Sequence, residues 1–291
     1  MKNLGYYNGE IGLIEDMRIP VSDRVCWFGD GVYDAAMCAN YTIFALDEHI
    51  DRFYKSAEAI RIKVPISKKE LNNLLCSLVK KLDSPQQLVY WQVTRASSAE
   101  RTHAFDADQK ANLWITLRKD SIDDIYKKLK LITVEDTRYF HCNIKTLNLL
   151  PNVLAMQKAK EAGCDEAVFC RGRQVTECSH SNIHILKNKQ FKTAPTDNLI
   201  LPGVARAHLI KNCRALGIPV IEQPFTIDEM MNADEIIISN CGLFCAGVSH
   251  INNCQAGSKD KETLLALQDM SIKEFYAATG INKAAAQLNK E

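Results

Sequence analysis

A lysine beside apolar residues, with a glutamate farther along the chain, is the pair of residues with the clearest chemical meaning. Lys145 follows Ile144 and precedes Leu147 by two positions, and Glu177 ends a Val-Thr-Glu run. An amine against a low-dielectric wall loses its charge more easily than a solvated one. The neutral amine can attack a carbonyl carbon and form a Schiff base. The pair therefore suggests amine nucleophile chemistry, although lysines beside apolar residues also commonly extend outward along their stems.

Glu177 gains a defined role if the carbonyl belongs to pyridoxal phosphate. The ring nitrogen of that cofactor must stay protonated to accept electrons, and a carboxylate can hold the proton there. A phosphate could bind where a predicted helix begins at Gly203, because the unobstructed backbone N–H groups there can approach an anion. Arg52 offers a guanidinium fork on another helix. A plain loop-to-helix turn and a solvated arginine are the alternatives.

Two further groups could present polar atoms to a ligand, and one of them, Arg101 with His103, could bind a carboxylate. Arg101 and His103 are two residues apart, which in an extended backbone directs both side chains to one side. Tyr33 follows two glycines that permit tight turning, so it can present its hydroxyl from an otherwise apolar strand. An exposed polar loop and a buried tyrosine are the simpler interpretations of these residues.

The totals are typical of a globular chain and favour a small-molecule partner over nucleic acid or a membrane. Its 291 residues suffice for about two domains of roughly 150 residues each. The 36 Lys and Arg residues nearly cancel the 35 Asp and Glu residues, so no net field attracts nucleic acid or an anionic membrane. An apolar signal segment and a run of roughly 20 apolar residues are both absent from the sequence. We expect a cytoplasmic protein without nucleic-acid or membrane partners.

The eleven cysteines predict neither disulfides nor a metal site. Their number is odd, and no Cys-x-x-Cys pair occurs. Cys241 and Cys245 lack nearby histidine pairs and are open to a structural or a redox role. The cysteines with apolar neighbours are expected to be core thiols, since free cysteine behaves as a small hydrophobe: Cys26, Cys38, Cys76, Cys164, Cys170 and Cys213.

Helices and strands alternate in the first part of the chain, and strands outnumber helices in both parts. Apolar spacing predicts helices over 47–61 and 68–81, and β-branched runs predict strands over 88–94 and 112–118. A charged, weakly patterned segment places a domain boundary near residue 120. Beyond it we expect strands at 129–134, 166–170, 182–186, 190–193 and 235–239, and helices at 148–162, 204–216 and 263–278.

Together these segments resemble the class IV, fold type IV pyridoxal-phosphate aminotransferases, and among them the D-amino-acid aminotransferases. The matching segments are 21–24, 28–33, 48–52, 92–95, 144–148, 175–177, 181–182 and 198–201 with Gly203. The resemblance covers nearly the whole chain. It implies an α/β fold with a small N-terminal domain (1–120), a larger β-rich C-terminal domain (121–291), and the cofactor at their interface.

The resemblance also implies the roles of the site residues. Lys145 would form the Schiff base with pyridoxal 5'-phosphate and carry the proton to and from the substrate α-carbon, while Glu177 holds the pyridinium. Leu201 would pack on the ring, and Arg52 with the backbone of Val204 and Ala205 would bind the phosphate. The remaining cofactor residues that it implies are Ser181, Asn182, Gly203 and Cys241.

The substrate is implied by the groups that bind its carboxylate. Tyr33, Arg101 and His103 resemble the arrangement in D-amino-acid aminotransferases, where the arginine and histidine come from the partner subunit of a homodimer. Such a carboxylate position presents the α-hydrogen of a D-amino acid to Lys145. The implied reaction converts D-alanine and 2-oxoglutarate to pyruvate and D-glutamate.

Three departures from this subfamily keep alternatives open. Ala205 replaces a threonine in the phosphate loop, His180 stands where a serine is usual, and residues 239–244 are closer to the aminodeoxychorismate lyases. The alternatives within the fold are such a lyase, which eliminates pyruvate, and a branched-chain L-amino-acid aminotransferase. A protein that binds pyridoxal phosphate without catalysis is the alternative from a different class.

Overall fold

The computed structural model describes residues 1–281, which form two compact units. The first unit holds Met1–Ile122, Ile144–Asn148 and the described residues from 275 on. The second unit holds Asp123–Asn143 and Leu149–Glu274. The short segment with Lys145 is therefore part of the first unit, although the chain on both sides of it is part of the second.

The first unit is an antiparallel sheet with helices on one face. Its strands lie in the order β2-β1-β6-β5-β3-β4. A short 3-10 helix spans Ile14–Asp16. The other elements are β1 (Asn3–Tyr7), β2 (Glu10–Gly12), α1 (Arg24–Phe28), β3 (Gly31–Ala39), β4 (Thr42–Ile43), α2 (Leu46–Ala59), α3 (Lys68–Val79), β5 (Gln87–Thr94) and β6 (Asn112–Lys119).

The core of this unit lies between the sheet and helices α2 and α3. Alternate residues of β5 such as Val89, Trp91 and Val93 are fully buried, as the period of a strand requires. Phe53 of α2 and Leu71 of α3 are fully buried against them. The expected helices at 47–61 and 68–81 and strands at 88–94 and 112–118 are confirmed, with ends within two residues.

The second unit is built on a larger mixed sheet in the order β12-β11-β10-β14-β15-β7-β8-β9-β13, with β16 paired to β15. Its elements are β7 (Leu129–Glu135), α4 (Leu150–Glu161), β8 (Glu166–Arg171), β9 (Gln174–Cys178), β10 (Asn182–Lys187), β11 (Gln190–Thr193), α5 (Val204–Ala215), β12 (Val220–Glu222), β13 (Phe225–Thr226), α6 (Ile227–Met231), β14 (Glu235–Ser239), β15 (Ala246–Ile251), β16 (Cys254–Gln255) and α7 (Lys261–Thr279), whose last residues belong to the first unit.

The expected strands and helices of the second part are confirmed, and several short ones were not expected. Helix α4 begins at Leu150 rather than 148, with Pro151 in its first turn and Gly163 in a left-handed conformation after its end. Strands of two or three residues, such as β12, β13 and β16, are too short to carry a hydrophobic pattern.

One cysteine assigned to the core is on the surface. Cys26 is exposed, because the one-turn helix α1 directs it away from its apolar neighbours Val25 and Trp27. Cys76 is half-buried, and the other four expected core thiols are buried. None of the helices in residues 1–281 combines the length and apolar content that crossing a bilayer needs.

Candidate active site

The backbone of Lys145 is fixed on both sides by the first unit. Thr146 forms an isolated bridge with Val32 of β3, and the Tyr33 N–H donates to the Lys145 carbonyl at 3.0 Å. On the other side, the Lys145 N–H donates to the Ser56 hydroxyl of α2 at 3.2 Å. The lysine is therefore held by an extra stretch of chain added to β3, which leaves only its side chain to move.

The amine of Lys145 lies over an aromatic ring. Its Nζ is 4.3 Å from the ring centroid of Tyr33, and the lysine is half-buried. The Tyr33 ring stacks on Tyr90, with centroids 5.4 Å apart, and the Tyr90 hydroxyl donates to Gln92 Oε1 at 2.6 Å. Burial raises the pKa of Tyr90, so this hydroxyl stays a donor. Lys145 and Tyr33, both expected in the site, are thus brought together.

Arg52 is oriented by a buried aspartate. Its Nε and Nη2 donate to the two oxygens of Asp34 at 2.9 and 2.7 Å, and His49 Nδ1 lies 2.8 Å from the same carboxylate. Burial alone would raise the pKa of Asp34, but the charge of Arg52 and the hydrogen bonds hold it well below its usual range. Burial lowers the pKa of His49, so its ring is neutral at pH 7. Asp34 was not expected from the sequence.

Arg101 and His103 lie together on the exposed loop between β5 and β6. The Arg101 Cζ is 5.0 Å from the centroid of the Phe28 ring, and the His103 ring centroid is 5.3 Å from it. Both side chains are exposed. One ring of α1 therefore supports both groups expected to bind a carboxylate.

In the second unit, Glu177 has both carboxylate oxygens bound. Arg138 Nη1 lies 2.5 Å from Oε1, and Oε2 accepts from the Asn182 side chain and the Leu201 N–H, each at 3.0 Å. Glu177 is only 6% exposed. A buried carboxylate with a guanidinium at this distance stays ionised. Three of the expected cofactor residues, Glu177, Asn182 and Leu201, are thus in direct contact.

Arg138 was not expected, and it is itself held by Asp136. Its Nε and Nη2 each donate to Asp136 at 2.9 Å, and its Cζ lies 4.3 Å from the Phe169 ring centroid. Burial opposes its charge, but the hydrogen bond to Asp136 and the charge of Glu177 raise the pKa of Arg138. The sequence signal was two opposite charges, two residues apart, immediately after the apolar strand β7.

The N-terminus of α5 is suited to bind an anion. Gly203 caps the helix without a side-chain hydrogen bond, and Val204 and Ala205 form its first turn. A Cβ at Gly203 would collide with the Asn182 side chain, which also donates to the Leu201 carbonyl at 3.0 Å. Glycine is thus required where the segment before α5 approaches β10.

His180 belongs to a hydrogen-bonded network around the buried Glu166. His180 Nδ1 lies 2.7 Å from Glu166 Oε2, and Ser179 Oγ donates to Oε1 at 2.5 Å. Ser181 Oγ donates to Glu166 at 3.3 Å and accepts from Asn240 at 2.9 Å. Burial alone would raise the pKa of Glu166, but the hydrogen bond and charge of His180 hold it below its usual range. The turn from β9 to β10 is therefore rigidly supported.

The segment 239–244 forms a turn organised by Asn240. The Asn240 side-chain oxygen accepts from the N–H groups of Gly242 and Leu243 at 2.8 and 2.9 Å. Cys241, an expected cofactor residue, lies half-buried within this turn. Asn240 therefore connects the turn to Ser181.

The family model and the sequence relatives agree on one family, and a solved structure shares its fold. The family model for amino-transferase class IV matches residues 31–251. A D-alanine aminotransferase of Listeria monocytogenes is 38% identical over 91% of this chain and 94% of its own. One of Bacillus licheniformis is 34% identical over 92% of this chain and 97% of its own. A branched-chain amino acid aminotransferase of Escherichia coli has the same fold, with a TM-score of 0.86 and 20% identity over 96% of this chain and 95% of its own.

Proposed function

Because the chain belongs to the class IV aminotransferases, which use pyridoxal 5'-phosphate, we propose that it transfers the amino group of D-alanine to 2-oxoglutarate. The products are pyruvate and D-glutamate. The observation that carries the proposal is the Lys145 amine, held 4.3 Å from the ring centroid of Tyr33 on a backbone fixed by β3 and α2. The names of relatives that match nearly the whole chain support the D-amino acid as substrate.

Three features of the chain fit pyridoxal phosphate. Lys145 supplies an amine for its aldehyde carbon, and Glu177 supplies a buried, ionised carboxylate for its ring nitrogen. The first N–H groups of α5, which follow Gly203 and have no side-chain cap, suit its phosphate, and the absence of a Cβ lets Gly203 pack against Asn182. We assign Arg52 to the same phosphate and Leu201 to the face of the ring. Ser181, Asn182, Val204, Ala205 and Cys241 complete the proposed contacts.

The residues divide the work of amino transfer among them. When bound, the cofactor supplies an electron-accepting ring that permits a C–H bond beside the amino group to break. Lys145 Nζ would carry the proton between the substrate α-carbon and the cofactor: it takes the proton from the donor amino acid and later returns one to the α-carbon of the acceptor 2-oxoglutarate. Glu177 holds a proton at the ring nitrogen, and Arg138 keeps that carboxylate charged.

Substrate handedness is assigned to the carboxylate-binding groups. Tyr33, Arg101 and His103 fix the carboxylate, and the orientation of the substrate then decides which α-hydrogen faces Lys145. We propose that the chain is a homodimer in which Arg101 and His103 serve the partner's site. Their exposure on a loop anchored in the first unit supports this arrangement.

The test is the visible absorption of the purified holoenzyme, recorded after separate addition of D-alanine and L-alanine. We expect D-alanine alone to bleach the cofactor band and 2-oxoglutarate to restore it. Lys145→Ala should show neither change, whereas Lys158→Ala, a change on helix α4, should respond like wild type. A band that responds only to L-amino acids would reject the D-preference. A band unmoved by either, in a protein that releases pyruvate from an aminated chorismate derivative, would identify the lyase instead.

A further inference from the structure

The loop that carries Arg101 and His103 is held from beneath by one buried arginine. Arg24 Nη1 donates to the carbonyls of Thr102 at 2.7 Å and Ala104 at 3.3 Å, and its Nη2 donates to the carbonyl of His103 at 3.2 Å. Three consecutive carbonyls are thus bound by one guanidinium. Arg24 is 3% exposed, whereas residues 101–104 are exposed.

The guanidinium of Arg24 is itself fixed by a shared carboxylate. Its Nε donates to Asp30 at 2.8 Å, and the Nε of Arg95 binds the same carboxylate at 2.9 Å. Arg95 donates its remaining nitrogens to the carbonyls of Ile60 and Arg61 after helix α2. Asp30 therefore ties Arg24 to the body of the first unit through two strong, charge-assisted hydrogen bonds.

The side chains above the loop rest on the same short helix. Arg24 and Phe28 are the first and last residues of α1, one turn apart on one face. The Arg24 Cζ is 4.9 Å from the Phe28 ring centroid, and Arg101 and His103 contact that ring. Helix α1 thus fixes the main chain of the loop with one residue and its two functional side chains with another.

The base of the loop is closed independently of Arg24. Asp23 Oδ2 accepts from Thr94, the last residue of β5, at 2.7 Å, and from Asn112, the first residue of β6, at 2.8 Å. The buried Asp23 therefore clamps the two ends of residues 95–111. Asp23 does not fix the middle of the loop, and there Arg24 makes its three hydrogen bonds.

We propose that Arg24 is a positioning residue that sets the conformation of residues 101–104 and so aims Arg101 and His103 at the substrate carboxylate. The inference rests on the proposed function, which assigns carboxylate binding to these two side chains. The Arg24 guanidinium binds backbone carbonyls that have no strand partner in this loop. The side chains of the loop stay exposed and can contact a ligand.

The experiment compares Arg24→Met with Arg24→Lys in the holoenzyme by two readouts. Hydrogen exchange of the backbone amides in 97–109 should accelerate in Arg24→Met and recover in part in Arg24→Lys, because lysine supplies one cation for the carbonyls. The KM for D-alanine should rise about ten- to a hundredfold in Arg24→Met while kcat changes much less, because misplacement affects carboxylate binding. Arg206→Met, which removes an equally buried arginine of the second unit, should leave the exchange of 97–109 unchanged.

A variant that lacks the Arg101 and His103 side chains distinguishes a positioning role of Arg24 from a general loss of structure. In the Arg101→Met/His103→Gln variant, adding Arg24→Met should raise KM by no more than about twofold, since effects that act through the same groups do not add. A further large increase there, or wild-type exchange of 97–109 in Arg24→Met, would overturn the inference. A KM unchanged by Arg101→Met and His103→Gln together would reject the carboxylate role in the proposed function itself.

Discussion

At the scale of single residues, several side chains of the second unit hold the carboxylate of Glu177 in place. Glu177 binds Arg138, Asn182 and the Leu201 N–H, and Asp136 in turn binds Arg138. A carboxylate held by these three partners, one of them fixed by Asp136, has one orientation and one charge state. The ring nitrogen of the cofactor would therefore meet a preformed partner, and little reorganisation would be needed when it binds.

Arg138→Met should reduce kcat by about a hundredfold or more, because removal of one preorganised charged partner has effects of this size. The change leaves Glu177 buried without its cation, and loss of one member of a buried ion pair costs about 3–5 kcal/mol of stability. Steady-state kinetics and urea unfolding measure both effects. Arg173→Met, which breaks an exposed ion pair with Asp228, is the control and should change neither. A fully active Arg138→Met enzyme would show that Glu177 needs no cation.

Glu166→Gln should destabilise the protein at neutral pH but not in acid. The folded pKa of Glu166 lies below its ordinary value of 4.5, so the charged carboxylate stabilises the fold above pH 4.5, and this contribution is lost as the pH falls. The difference from wild type should be about 1.5–3 kcal/mol at pH 7, the range for hydrogen bonds to charged groups. Urea unfolding at pH 7 and at a series of pH values below 4.5 measures it. A difference that stays constant as the pH is lowered well below 4.5 would contradict the assignment.

At the scale of elements, the N-terminus of α5 and strand β10 meet at a position that only glycine can occupy. Gly203→Ala would push its Cβ against Asn182, which also orients Glu177. We expect the Kd for pyridoxal phosphate to rise about tenfold or more, the equivalent of one lost hydrogen bond or more. Fluorescence titration of the cofactor-free protein measures this binding without turnover.

The half-buried Ala205, in the same helical turn, provides the matched variant. Ala205→Thr adds a hydroxyl donor, so the same titration should show tighter binding by roughly fivefold, about 1 kcal/mol for one hydrogen bond. If both substitutions weaken the binding of pyridoxal phosphate equally, any larger side chain in this turn is harmful. The phosphate would then have to bind at another place.

The elements with a regular pattern could be predicted from the sequence, whereas their contacts could not. Helix α3 has apolar residues at helical spacing and begins with a Ser67–Glu70 capping box, so both its body and its start are encoded locally. Lys145 and Glu177 stand out by residue type and by family resemblance. Arg138 and Arg24 do not, because their importance comes from partners distant in the sequence, whose positions depend on the folded sheet.

At the scale of the whole molecule, the proposed homodimer predicts complementation between an inactive variant and one that binds substrate weakly, assayed at a D-alanine concentration near the wild-type KM. Lys145→Ala retains Arg101, and Arg101→Met retains Lys145. If Arg101 serves the partner's site, a mixed dimer has one intact site, and random exchange should restore about a quarter of wild-type activity. Activity is measured after the two variants are mixed and allowed to exchange subunits, with each variant alone as control. A mixture that is no more active than its components would place Arg101 in its own subunit's site.

The bridge between Thr146 and Val32 also has a consequence for the order of folding. Residues 144–148 complete the first unit but follow its other strands by a long stretch of chain, so these contacts are among the least local in that unit. A chain emerging from the ribosome can pair β3 with β5 before residue 145 has been made. The sheet of the first unit would then form before Lys145 is synthesised. The proposed site would become complete only when residues 144–148 pair with β3.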